Sequence, residues 1–160
     1  MLRRVAKPLT AAAFAPYGEV LEAPSEPGRL YIEKSLANGR PGARPSLSFS
    51  LSKPIASLPL KAVQMERHEF SSQSFVPMDA GRFFVIVAPK LATGGPDASR
   101  AEAFLAAPGQ GVTYAMNTWH HPLSVIGTPI RFAIFMWLEH SRTDEEFVQL
   151  DAPFEVAVAE

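Results

Sequence analysis

Ser46-Leu47-Ser48-Phe49-Ser50-Leu51-Ser52 alternates between hydroxyl and apolar side chains without a break. A period of two marks a β-strand with one face on a core, because successive side chains leave a pleated strand on opposite sides. On this reading Leu47, Phe49 and Leu51 point inward and the four serines point outward. Further strand patterns follow at residues 60–68, 75–78, 83–88, 112–116, 122–126 and 130–139, set apart by turns such as Pro108-Gly109-Gln110-Gly111 and Gly127-Thr128-Pro129. Short strands recurring about every 8–12 residues indicate a sandwich or barrel, not alternating βα units. The expected fold is all-β with one or two short helices, a closed antiparallel jelly-roll β-barrel.

The rest of the chain fits around that frame. Thr10 can cap a short helix over residues 11–14, which Pro16 and Gly18 would end, with an extended segment at 19–22. Residues 23–45 hold Pro24, Pro27, Gly28, Gly39, Pro41, Gly42 and Pro45, a density of breakers that predicts loops around at most one short strand near 30–33. Residues 100–106 suit either a strand or a helical turn. In 130–138, Ile130, Phe132, Ile134, Met136 and Leu138 alternate with Ala133, Phe135 and Trp137, so both faces are largely apolar. Such a strand needs a covering layer on each side, and a second subunit can supply one. A homodimer is the expectation. The tail, with Phe147, Leu150, Phe154 and Val156, is apolar enough to dock. No linker or repeat divides residues 1–160, which read as a single domain of a size that hides roughly 70% of its unfolded surface.

Composition narrows the function. Fifteen basic residues balance sixteen acidic ones for a net charge of −1, with no run of Lys or Arg to track a phosphate backbone, so nucleic acid is not the expected partner. The chain has no cysteine, which excludes disulfides, thiolate metal ligands and a Cys nucleophile and suits a reducing compartment. Its longest apolar runs, near 83–89 and 132–138, are far shorter than the roughly 20 residues that cross a bilayer. A cytoplasmic protein with a small-molecule substrate and no membrane partner is expected.

The candidate chemistry lies in two stretches. In Met65-Glu66-Arg67-His68-Glu69-Phe70-Ser71-Ser72-Gln73, strand alternation puts Gln64, Glu66 and His68 on one face, and a turn can return Gln73 to the same cavity. An exposed strand face would show the same alternation. In Tyr114-Ala115-Met116-Asn117-Thr118-Trp119-His120-His121-Pro122, one of the two adjacent histidines can face inward while the other faces out. Of the four histidines, His140 sits beside charged residues and reads as a surface residue.

Glu-x-His-x4-Gln, followed by Gly-x8-His ending on His120, resembles in spacing the two metal-binding half-motifs of the cupin superfamily. Glu66 stands for the first His, His68 keeps the second, and Gln73 replaces the acid. The set Glu66, His68, Gln73 and His120 can hold a divalent metal such as Zn²⁺, Mn²⁺ or Fe²⁺, or act without metal as an acid/base group. With the flanks included, Phe14-Ala-Pro-Tyr17-Gly18, Arg44-Pro45-Ser46-Leu47-Ser48, Gln73-Ser-Phe75-Val-Pro77-Met78 and Gly111-Val112-Thr-Tyr114 leading to Trp119-His120-His121-Pro122 resemble the ureidoglycolate lyase family. That family, also called ureidoglycolate hydrolase, has a cupin-like barrel and serves allantoin breakdown in purine catabolism. Members often carry His directly after the tyrosine, where this chain has Ala115.

The resemblance implies cleavage of ureidoglycolate to glyoxylate and urea, with Glu66, His68, Gln73 and His120 as the catalytic group. Arg44 is the candidate for the substrate carboxylate, since guanidinium binds carboxylate bidentately, and a solvent-facing loop arginine is the competing reading. Tyr114 can hydrogen-bond substrate or simply pack in the core. A metal-dependent cupin enzyme of another type and a non-catalytic small-molecule-binding barrel are the alternatives.

Overall fold

The computed structural model describes residues 1–159, and nearly all regular structure in it is strand. Four strands precede or follow the first turns: β1 (Leu2–Val5), β2 (Lys7–Pro8), β3 (Gly18–Leu21) and β4 (Arg44–Ser52). The middle holds β5 (Leu60–Arg67), β6 (Gln73–Pro77), β7 (Arg82–Ala88), β8 (Glu102–Ala106) and β9 (Gly111–Tyr114). The last third holds β10 (Trp119–His120), β11 (Ser124–Ile126), β12 (Ile130–Leu138) and β13 (Glu146–Ala157). A one-turn helix α1 (Ala11–Phe14) begins where expected, with the Thr10 side chain accepting from the Ala13 N–H at 3.3 Å.

Two sheets face each other. One runs β1-β13-β5-β10-β7-β8-β2, with β11 also paired to β7, and the other runs β3-β9-β6-β12-β4. Pairing is antiparallel except for β1 with β13 and β2 with β8, which are parallel. The space between the sheets is filled by aromatic rings. Phe132 of β12 meets Phe83 of β7 edge-on at 5.2 Å and Phe75 of β6 at 6.0 Å, while Phe14 and Phe104 close one end. Strand β7 is buried on both faces, because Phe83, Val85 and Val87 enter this core while Phe84, Ile86 and Ala88 enter a second one with Met65, Trp119 and Phe154. A continuous apolar run with no alternation is what such a position demands.

The strand that disclosed the fold is inverted relative to its sequence reading. Leu47, Phe49 and Leu51 are 64%, 68% and 64% exposed. Register explains it: β4 pairs only with β12, setting Ser46 opposite Met136 and Ser50 opposite Phe132, both core residues, while Leu47 and Phe49 lie opposite Phe135 and Ala133 on the outer face. Alternation separates two faces and carries no sign for which is inside. Residues 30–33, where at most one short strand is expected, form none. Strand β13 supplies the docked tail and pairs along β5. Of the two shapes expected for residues 100–106 the strand is the one formed, as β8, and a 3₁₀ turn over Ala98–Arg100 precedes it.

Close strand contact puts a limit on Gly111. A Cβ there would lie 2.3 Å from the Phe75 carbonyl oxygen and 3.0 Å from Pro77 Cδ, whereas at Gly95 it would meet nothing within 4 Å. Gly111→Ala should lower the unfolding free energy by roughly 1–3 kcal/mol, and Gly95→Ala should change it by less than about 0.5 kcal/mol. Urea unfolding monitored by circular dichroism measures both, and equal midpoints for the two variants would contradict the close approach of β6 and β9.

Candidate active site

Five strands and one turn build the site. Glu66, near the end of β5, is paired across the ladder with His120 of β10, so their side chains emerge on the same face of the larger sheet. His68 follows one residue after β5 ends, and the 68–72 turn carries the chain to the other sheet, where Gln73 begins β6 between Tyr114 of β9 and Met136 of β12. Glu66 and His120 therefore belong to one wall, Gln73 and Tyr114 to the other, and His68 to the bend joining them. Tyr114 closes the gap by stacking flat on His120, with ring centroids 4.1 Å apart and planes at 12°.

The sequence-derived group comes together. One ligand-type atom each from Glu66, His68 and His120 lies within 4.8 Å of the others, and the three side chains are 9%, 4% and 1% exposed. His120 faces the cluster, while His121 turns its Nδ1 to the Pro122 carbonyl at 2.8 Å and to the Ser124 hydroxyl. Arg67 points away, binding Glu146 and Asn117 and lying over the Trp119 ring at 4.7 Å.

Protons on the two rings are set by the backbone. His68 Nδ1 lies 2.8 Å from the Asp144 carbonyl and His120 Nδ1 lies 2.9 Å from the Thr118 carbonyl. A carbonyl oxygen only accepts, so each ring donates from Nδ1, and a ring in its neutral form turns an Nε2 lone pair inward. Both Nε2 atoms and Gln73 Oε1 are buried with no hydrogen-bond partner among the described residues. His120 Nε2 stands 3.3 Å from Glu66 Oε1 but off the line a hydrogen bond requires. Three side chains thus bring ligand-type atoms within 4.8 Å of one another, and the buried Gln73 amide oxygen is a fourth acceptor without a partner among the described residues. Such a set is stable when a cation sits among the donors, either a proton on an imidazole or a metal ion, because buried unpaired acceptors are costly. The donor set, two imidazoles, a carboxylate and an amide oxygen, fits a divalent metal of the Zn²⁺, Mn²⁺ or Fe²⁺ class.

Electrostatics follow from burial and the histidines. For Glu66, burial pushes the carboxyl up, but His120, His68 and His121 together outweigh it and hold the group below its ordinary value, so it is a carboxylate at neutral pH. Burial, aided by His120, holds His68 below the ordinary imidazole value, so it is neutral there. Burial and then the Glu66 charge raise Tyr114, which stays a phenol.

A cleft of about 390 Å³ reaches His68 and Gln73, lined also by Met136, Leu138, His140 and residues of the following turn, while Glu66 and His120 are not among its lining residues. Arg44 does not itself line the cleft; register pairs it with Leu138, which does, and among the described residues its guanidinium has no ion-pair partner. Sequence reading missed two features here. His140, with φ of 57°, is exposed as expected yet borders the cleft, and the Ser141–Asp144 turn supplies the carbonyl that orients His68. The Ser-Arg-Thr-Asp composition marks a turn, but nothing local shows what it faces. Ala115 lines a separate groove with Pro16, Tyr17 and Trp119. Ala115, where the family resemblance implies histidine, is thus outside the cleft that His68 and Gln73 line.

Comparison with known proteins agrees with this architecture. The family model for ureidoglycolate lyase matches residues 2–157. A ureidoglycolate lyase of Chelativorans sp. (strain BNC1) is 38% identical, covering 100% of this chain and 99% of that protein. One of Mesorhizobium japonicum is 37% identical over 84% of this chain and 85% of its own length. Among solved structures, a dTDP sugar isomerase of Desulfovibrio desulfuricans superposes with a TM-score of 0.53 at 19% identity, covering 84% of this chain and 83% of that one, a likeness of fold alone. That likeness places the two-sheet barrel among the cupin-like jelly rolls. By the span and identity of these matches, the chain belongs to the ureidoglycolate lyase family.

Proposed function

We propose that the cleft lined by His68 and Gln73, together with Glu66 and His120 grouped with His68, is the active site at which this chain splits ureidoglycolate into glyoxylate and urea. The observation that carries the proposal is the buried grouping of Glu66, His68 and His120 beside a cleft that His68 and Gln73 line, with His68 Nε2, His120 Nε2 and Gln73 Oε1 left without hydrogen-bond partners among the described residues. The substrate carries a hydroxyl, a carboxylate and a ureido nitrogen on one carbon. Cleavage takes the hydroxyl proton, turns that C–O bond into the aldehyde C=O, breaks the C–N bond and returns a proton to the departing nitrogen.

Neutral His68 is the base for the hydroxyl proton, and its Nε2 lone pair is already aimed inward. His120 acts in its imidazolium form, paired with the Glu66 carboxylate, and gives its Nε2 proton to the departing nitrogen, while the proton taken by His68 is the one that restores the pair before the next turnover. Gln73 offers its amide oxygen to the ureido N–H groups. Arg44 takes the substrate carboxylate, and Tyr114 backs the His120 ring and presents its phenol toward the Glu66 side of the site. A divalent ion held by Glu66, His68, Gln73 and His120 would, when bound, supply Lewis-acid polarisation of the substrate's hydroxyl and carboxylate oxygens.

The reading extends to setting and assembly. The reaction is a cytoplasmic step of allantoin breakdown in purine catabolism, as the family resemblance implies. The protein works as a homodimer through the outer face of the smaller sheet, where exposed Leu47, Phe49, Leu51 and Val76 adjoin Phe135 and Trp137. A contiguous apolar face on a nine-residue edge strand is a surface that proteins normally cover.

Three outcomes are expected. Incubation with ureidoglycolate should release urea and no ammonia above a no-enzyme control, with Glu66→Gln and His68→Ala each lowering turnover by about 10²-fold or more. Ammonia as the nitrogen product, or unchanged rates in both variants, would remove the assignment; metal analysis of the purified protein separates the proton and metal versions. Arg44→Ala should raise KM by about tenfold or more with a smaller change in kcat, consistent with loss of a charge-assisted pair. An unchanged KM would move the carboxylate elsewhere. In sedimentation at micromolar concentration the parent chain should run as a dimer and Phe49→Glu as a monomer, and a monomeric parent would end the assembly reading.

A further inference from the structure

The orienting carbonyl of Asp144 belongs to an exposed connection between β12 and β13, a kind of segment that by itself holds no atom to a few tenths of an ångström. It is pinned by the Asp144 side chain. Oδ1 accepts from Arg40 Nη2 at 2.5 Å and from the Glu139 N–H at 3.0 Å, and Oδ2 accepts from the Ser141 N–H at 3.0 Å. Arg40 also reaches Glu139 Oε2 at 3.3 Å and Thr143 Oγ1 at 3.1 Å, so one guanidinium spans the whole turn. Both side chains of the Arg40–Asp144 pair are only 11% exposed.

The other end of the clamp closes on the bend that carries His68. Gly39 donates its N–H to the Phe70 carbonyl at 2.7 Å, Ser72 donates its N–H to the Ala37 carbonyl at 3.0 Å, and the Arg40 guanidinium lies 5.4 Å over the Phe70 ring. The contacts form a closed circuit from His68 through Phe70 and Gly39 to Arg40, then through Asp144 back to His68 Nδ1. Two loops that meet nowhere in sequence thereby hold one ring nitrogen. We propose that Arg40 and Asp144 are positioning residues, whose ion pair fixes the Asp144 carbonyl against His68 Nδ1 and so keeps His68 in the single tautomer that turns an Nε2 lone pair into the site. An acceptor bonded to the outer nitrogen is the general means of setting which nitrogen of a working imidazole is free.

The inference rests on the site assignment above for its importance, but its test does not need substrate. In ¹⁵N-histidine-labelled protein, treated with EDTA and held near pH 7.5, well above the ordinary imidazole range, His68 should show one protonated nitrogen, Nδ1, and one unprotonated, Nε2. Arg40→Ala and Asp144→Ala should convert that signal to a mixture of tautomers, while Arg40→Lys, which keeps a charge on Asp144, should restore most of it. With ureidoglycolate, the two alanine variants should lower kcat by about tenfold or more and leave KM within about threefold. If an alanine variant does not fold, Asp144→Asn, of nearly the same shape, takes its place and should show the same tautomer mixing. Folded variants that keep His68 wholly as the Nδ1–H tautomer would overturn the proposal. Failure of the parent chain to turn over ureidoglycolate would instead overturn the functional reading and leave the tautomer result to stand by itself.

Discussion

A single two-residue rung holds the proposed site in place. Strand β10 is only Trp119–His120, yet it is wedged between β5 and β7, so the ladder sets His120 opposite Glu66 on one side and Val87 on the other. Trp119 anchors the rung from behind, donating its indole N–H to the Gly94 carbonyl at 2.9 Å while its ring packs in the second core. Because the rung is fixed on both edges, the separation of carboxylate and imidazole is a property of the sheet, not of two flexible side chains. That rigidity suits catalysis, where geometry held before substrate arrives costs nothing at the moment of reaction.

The electrostatic design depends on the same placement. Burying Glu66 alone would drive it toward the neutral acid, and three nearby imidazoles reverse that tendency. Burying His68 drives it toward the neutral base. The two groups are thereby pushed toward opposite roles by one environment, which is how neighbouring titratable residues come to share acid and base work near neutral pH.

Much of this was legible in the sequence, for reasons that also explain what was not. Glu66 and His68 share a strand face by spacing alone, and the Gly-x8-His spacing pointed to His120, which strand pairing then set beside them. The one-turn helix after Thr10 and the long strand over 130–138 followed from capping and periodicity. Ser46–Ser52 shows the limit: a period of two fixes the strand and leaves its orientation open, and here the serines face inward because Met136 and Phe132 lie opposite them. Arg40 and Asp144 lie 104 residues apart, and each belongs to a segment whose composition says only turn. Contacts between two irregular loops follow no periodicity, so no pattern along the chain could pair them.

The site draws its groups from both walls of the barrel, Glu66 and His120 from one sheet and Gln73 from the other. Whatever occupies it, ion or small molecule, therefore acts as a removable staple between the sheets. The unfolded chain has no such arrangement to offer, so occupancy and fold stability are thermodynamically linked: a ligand at one hundred times its Kd adds about 2.7 kcal/mol. Melting temperature becomes a measure of what the cleft accepts, and a panel of candidate ions and hydroxy acids can be ranked by it without any knowledge of the reaction.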